Sequence, residues 1–155
     1  MSELGFYHLT QAPLEKVLPV MLTRALERGW RSEVRGRDPA RLDALDHVLW
    51  TFSQEIFLPH GQAGQPHADR QPVLLTTAPA PEGGPREALF LVDGAALDPA
   101  EAGARTRTAL LFDGHDEAAV ETARTEWRAA TAAGLKAVYW AQGEKGGWEK
   151  KAESG

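Results

Sequence analysis

Short apolar runs of strand length recur along this chain, and most are separated by segments with helical spacing. That alternation constrains the fold more than any other feature, because it is the pattern of strands crossing over through helices. ELGFYHL (3–9), PVLLTT (72–77), EALFLVDG (87–94) and TRTALLFDG (106–114) read as buried strands. WRSEVRG (30–36) reads as a short second strand, and KAVYWAQ (136–142) as a last one at the sheet edge. Leu14, Val17, Leu18, Met21, Leu22, Ala25 and Leu26 make one apolar helical face over 13–28, with Gly29 as the stop. Pro19 predicts a kink there or a later start. Asp38 followed by Pro39 opens a second helix, carried by Leu42, Leu45 and Leu49 to about Trp50. Asp116 caps a third over 117–133, which Gly134 ends. The pattern implies an α/β fold with a mostly parallel sheet.

Residues 45–60, LDHVLWTFSQEIFLPH, interrupt this regularity. Trp50, Phe52, Ile56, Phe57 and Leu58 crowd the point where a helix stops and the chain should turn polar. Either the loop folds back onto the core, or it presents an apolar face to a partner. The connection over 51–71 ends in the polar GQAGQPHADRQ, and a loop of that length in a compact domain is usually functional or mobile. With 155 residues the chain suits one domain, read as 1–142, followed by a flexible charged tail over 143–155.

Several function classes lose support from what the sequence lacks. There is no cysteine, so disulfides, thiolate metal sites and a cysteine nucleophile are excluded. No signal peptide is visible, and no apolar run approaches the ~18 residues of a membrane span. The formal net charge of −5 argues against general nucleic-acid binding, although a local basic patch could still hold an acidic partner. A doubly wound sheet invites a nucleotide, yet there is no Walker loop and no G-x-G-x-x-G; the turn after the first strand is TQAP. His60, His67 and Asp69 share a loop, but their spacing matches no common zinc pattern. Asp113, Asp116 and Glu117 surround a helix N-terminus, where they complement the dipole. No nucleophile, base and orienting group assemble, so the sequence gives no catalytic residue, no cofactor and no metal site.

The helix over 117–133 is more specific. Val120, Ala123, Trp127 and Ala130 share a stripe, and Arg124 and Arg128 are neighbours one turn apart. One reading is a core-edge tryptophan beside solvated arginines that pair with Glu121 or Glu126. The other is a pocket for a short acidic peptide, with arginines on its carboxylates and the aromatic edge sheltering an apolar side chain.

Seven segments together resemble the chi subunit of bacterial DNA polymerase III, an accessory of the clamp-loader complex. They are GFYHL (5–9), RGWRSEV (28–34), LDHVLWTF (45–52), FLPHG (57–61), PVLL (72–75), LLFDGHDEAAVETAR (110–124) and WRAATAAG (127–134). The tryptophan followed seven residues later by Phe57 and FLPHG is the most specific part, and the likeness covers about 3–142. The resemblance implies a Rossmann-like three-layer domain, with about five strands flanked by helices and no nucleotide site. It implies a non-catalytic, cytoplasmic adaptor with two faces. Arg124, Trp127 and Arg128 match the face that binds the acidic C-terminal tail of single-stranded DNA-binding protein. Trp50 and Phe57, with Pro59 and His60 shaping the turn, match the face that binds the psi subunit or an XPD/DinG-type helicase. No direct nucleic-acid or membrane contact is implied. The charged tail and the sparse basic residues near Val120 depart from better-known members. The rival expectation is a nucleotide- or phosphate-handling enzyme on the same fold.

Overall fold

The structure, a computed structural model, describes residues 2–77, 86–145 and 147–154. Among these, eight strands form one sheet: β1 (Glu3–Leu9), β2 (Ser32–Arg35), β3 (His60–Gln62), β4 (Val73–Thr76), β5 (Ala88–Leu91), β6 (Arg107–Asp113), β7 (Ala137–Gln142) and β8 (Trp148–Glu153). Four α-helices connect them: α1 (Leu14–Glu27), α2 (Pro39–Thr51), α3 (Pro99–Ala104) and α4 (Glu117–Ala132). The order across the sheet is β3-β4-β2-β5-β6-β1-β7-β8, and only the β7–β8 pairing is antiparallel. The α/β class and the mostly parallel sheet agree with the alternation in the sequence. The expected strand number does not, since the sheet has eight strands rather than about five. The two strands that no apolar run announces, β3 and β8, lie at the two edges. Nor does all of the tail expected over 143–155 stay loose. Trp148–Glu153 pair with β7 from Gln142↔Trp148 to Val138↔Glu153, so a boundary at 142 falls between two paired strands.

Alternate strand residues feed two cores, as the pleat requires. Leu9, Val34, Phe90 and Leu111 join Leu18, Leu22, Leu42 and Leu45 of α1 and α2. Leu4, Phe6, Leu89, Leu110 and Phe112 join Ala123 and Ala130 of α4. The caps follow the sequence. Asp38 accepts from the Ala40 amide at 3.0 Å, and Asp116 from those of Ala118 at 3.0 Å and Ala119 at 3.4 Å. Gly134 closes α4 at φ +84°, a left-handed conformation that glycine adopts without cost. Pro19 lies inside α1 rather than at its start.

β2 holds the middle of the β3-side half by a different chemistry. Glu33 is fully buried, with its carboxylate 2.6 Å from Arg35 and 2.9 Å from Arg105. Glu101 of α3 meets the same two guanidiniums, at 2.7 Å and 3.1 Å. Two acids and two bases are thus paired and hydrogen-bonded, the condition for burying charge at all. The hydrogen bond from Arg35 holds the Glu101 carboxyl below its ordinary range.

Candidate functional site

Residues 45–60 divide between the core and the surface. Leu58 is fully buried in the core and Phe52 packs against it. Trp50, Ile56 and Phe57 point outward, with 55%, 47% and 67% of their surfaces exposed. The loop is built to hold them there. Ser53 Oγ accepts from the amides of Glu55 and Ile56, both at 3.1 Å, which turns the chain after α2. His60 is buried; its Nδ1–H donates to the Leu58 carbonyl at 2.8 Å, and its Nε2 lies 3.1 Å from Asp46 Oδ1. The ring also underlies Trp50, with centroids 4.7 Å apart. Trp50 and Phe57 stand beside one another at 5.8 Å. The sequence left His60 as a residue ordering a turn after Pro59; the structure instead places it at the first position of β3, with its ring tied back to the Leu58 carbonyl. It adds a floor for Trp50 that the sequence did not reveal. His67 is exposed, and among the described residues no group of three or more His, Asp or Glu side chains could hold a metal ion.

The second group lies on α4, over the other half of the sheet. Arg124 is exposed, and its Nη1 meets Glu121 Oε1 at 3.0 Å. An exposed pair of this kind contributes little and exchanges readily for another anion. Arg128 is exposed one turn further on. Trp127 is half-buried, edge-on to Phe6 at 5.3 Å and to Tyr139 at 6.0 Å. The sequence brings these three residues to one helix but misses the wall beside them. Tyr139 of β7 has its hydroxyl 2.7 Å from His8 Nδ1 of β1, and its ring 6.0 Å from Phe112. Burial pushes the Tyr139 hydroxyl upward in pKa, and the positive charge of Arg124 acts in the opposite sense. Gly114 is required beside this wall, because a Cβ there would sit 2.1 Å from His8 Cδ2. His8 and Tyr139 are 131 residues apart, and only the β1–β7 pairing brings them together.

A cavity of about 800 Å³ opens at the C-terminal ends of β1, β5 and β6. In open α/β sheets that is where ligands bind. Here the turn after β1 is already occupied. The amides of Thr10, Gln11 and Ala12 all donate to one oxygen, Gln142 Oε1, at 2.8, 2.8 and 3.1 Å. Those are the backbone donors that a phosphate would otherwise engage. Of the two arginines on the lining, Arg41 is paired with Glu15 and with Asp93.

A family model described as "DNA polymerase III chi subunit, HolC" matches residues 1–138. A protein of Rickettsia prowazekii (strain Madrid E) named "Probable DNA polymerase III subunit chi" is 25% identical over 76 residues. That alignment covers 49% of this chain and 46% of the relative, so it spans about half the length of the protein it matches. Among the described residues, no helix is long and apolar enough to cross a membrane.

Proposed function

The chain belongs to the chi-subunit family of DNA polymerase III, and from that premise we propose that it is a non-catalytic adaptor in DNA replication. One face would join the clamp loader through psi, or a helicase of the XPD/DinG type. The other would hold the acidic, phenylalanine-ending tail of single-stranded DNA-binding protein. The observation that carries this reading is the pair Trp50 and Phe57, side by side, the two most exposed large apolar side chains among the described residues, with Ile56 beside them in sequence. Aromatic anchors of this kind dominate binding energy at interfaces. Pro59 and His60 would hold the segment that presents them.

On α4, Arg124 and Arg128 would take the tail's carboxylates, and its phenylalanine would lodge against Trp127. Charge-assisted hydrogen bonds contribute about 1.5–3 kcal/mol each, and burying one phenylalanine adds about 1.5–3 kcal/mol. After association entropy, affinity near −8 kcal/mol, about micromolar, is expected. Many tails on one filament would raise the effective concentration further. The helices packed on both faces of the sheet support reading the domain as Rossmann-like. The Gln142 oxygen in the turn after β1 favours a binding role over phosphate chemistry.

Titrating an acidic, phenylalanine-ending peptide into the protein and its Arg124→Ala variant tests the tail face. The proposal requires the variant to lose binding while keeping its fold, and unchanged affinity would sink it.

A further inference from the structure

α1 packs on β2 and β6, whereas the helix packed on β7 is α4, on the opposite face of the sheet. On the α1 side, Tyr7 of β1 and Trp140 of β7 are direct register partners, and Trp140 is paired in turn with Lys150 of β8. Trp148 closes on Tyr7 edge-on, at 5.2 Å. β8 therefore extends a face of half-buried aromatic rings beyond the edge of α1. A cavity of about 190 Å³ opens between Trp30, Trp140 and Trp148, with Arg24, Arg28 and Arg107 on its wall. It has room for one planar ring system. The cations are set over the rings: the Arg28 and Arg107 guanidinium carbons lie 5.0 and 5.5 Å from the Trp30 centroid, and Lys150 Nζ lies 6.0 Å from that of Trp140.

We propose that this face binds single-stranded nucleic acid, with bases stacking on Trp140 and Trp148, phosphates held by Arg24, Arg28 and Arg107, and Trp30 seating the last two cations. Stacking platforms beside a cationic track are the recurring means of gripping a single strand without reading its sequence. An acidic peptide ending in one aromatic group would use one ring and a fork of guanidiniums. Here there are two indoles for stacking, and Arg24 and Arg28 stand one helical turn apart, placed for separate phosphates. The net charge of −5 belongs to the whole chain, not to this face. Arg24 and Arg28 form no ion pair among the described residues. The pairs Arg107–Glu3 at 2.5 Å and Lys150–Glu153 at 3.1 Å are partly exposed, so a phosphate can displace either acid. The inference does not rest on either docking face proposed above, and it would give the adaptor its own grip on the strand.

The test is fluorescence anisotropy of a labelled oligothymidylate with the full chain at low salt, single-stranded DNA-binding protein being absent. Saturable binding is expected. The slope of log affinity against log salt should be about −2, the value for roughly three phosphates neutralised on a single strand. The double variant Arg24→Glu/Arg28→Glu changes only exposed positions, in the last turn of α1 and at its C-cap, and should retain the native circular dichroism. It should weaken binding at least tenfold. Trp140→Ala should also weaken it about tenfold, by loss of one stacking ring, while Trp50→Ala and Arg124→Ala should leave it unchanged. The inference is overturned if no binding saturates at low salt, or if the charge reversal leaves affinity unaltered. It is equally overturned if the face takes an acidic phenylalanine-ending peptide and ignores the oligonucleotide.

Discussion

Trp50 and Trp127 both sit on helices, and the fold treats them oppositely. Trp50 ends α2 with more than half its surface in water, propped from below by His60 and flanked by the still more exposed Phe57. Trp127 lies mid-helix, half-buried, with Phe6 and Tyr139 against its edges, and the exposed groups beside it are the cations Arg124 and Arg128. The first would serve as an apolar anchor, whose binding energy would come from water removed and would respond weakly to salt. The second is a charged rim around a fixed aromatic edge, whose energy would come from exposed guanidiniums and would fall as salt rises. A protein joining one durable partner to one exchangeable partner needs that difference.

The comparison presumes one rigid sheet between the two groups, and the largest effect should come from breaking it. Glu33→Ala leaves Arg35 and Arg105 buried with half their countercharge, and a loss of about 3–5 kcal/mol in chemical denaturation is expected. Both proposed binding activities should then fail together as the fold is lost. If they failed separately, the two groups would not share one cooperative unit. The same network makes acid a probe. The Glu101 carboxyl is held low by Arg35, so its contribution is complete above its unfolded pKa of about 4.5 and is lost as pH falls through the lower folded value. Tm should therefore decline more steeply below pH 4.5 in the native protein than in Glu101→Gln.

Next come the two faces themselves. Trp50→Ala should cost about 2–4 kcal/mol in affinity for psi or the helicase. Global stability should move by less than about 1 kcal/mol, because most of the ring is already in water. Pull-down or calorimetry with each partner reads the first, and urea denaturation the second. A large stability loss with intact binding would make Trp50 a core residue and end the comparison. Arg124→Ala should cost about 1.5–3 kcal/mol in tail binding at low salt. Its penalty should shrink towards 0.5 M salt, where screening is nearly complete. A penalty independent of salt would mean that the two faces bind by the same physics.

How far the sequence discloses all this depends on whether a signal is local. β1, β4, β5 and β6 were legible because a strand buried on both faces must be apolar throughout. β3 (HGQ) and β8 (WEKKAE) were not, because an edge strand is held by backbone pairing and its side chains carry no pattern. The error about the tail has this cause, and it hid Trp148. Trp50 and Phe57 were legible as misplaced apolar mass at a helix exit; Arg124, Trp127 and Arg128 as a stripe. The partners of those residues were not. His8 reaches Tyr139 across 131 positions, and Glu33 reaches Arg105 across 72. Nothing in local spacing encodes such contacts, which exist only once the strand order does.

The smallest effect belongs to a neighbour of Trp127 that faces the other way. Glu126 lines the large cavity at the ends of β1, β5 and β6, and its Oε2 is buried without a hydrogen-bond partner. Burial pushes its carboxyl upward in pKa, and a hydrogen bond from the Leu97 backbone only partly offsets this. A raised carboxyl favours the protonated form in the folded state. Its contribution is thus greatest at acid pH, and stability falls as pH rises through the folded value. Glu126→Gln removes the ionisation, so at pH 7 the variant should melt slightly above the native protein. Because the residue is only partly buried, the gain should be only about 1–2 °C for a chain of this length. Below pH 4 the two should converge. Tail binding through Arg124 should be unchanged, since Glu126 and Arg124 project from different sides of α4. If the variant instead lost the tail, the cavity and the arginine rim would be one site, and the separation between an inward and an outward face of α4 would be wrong.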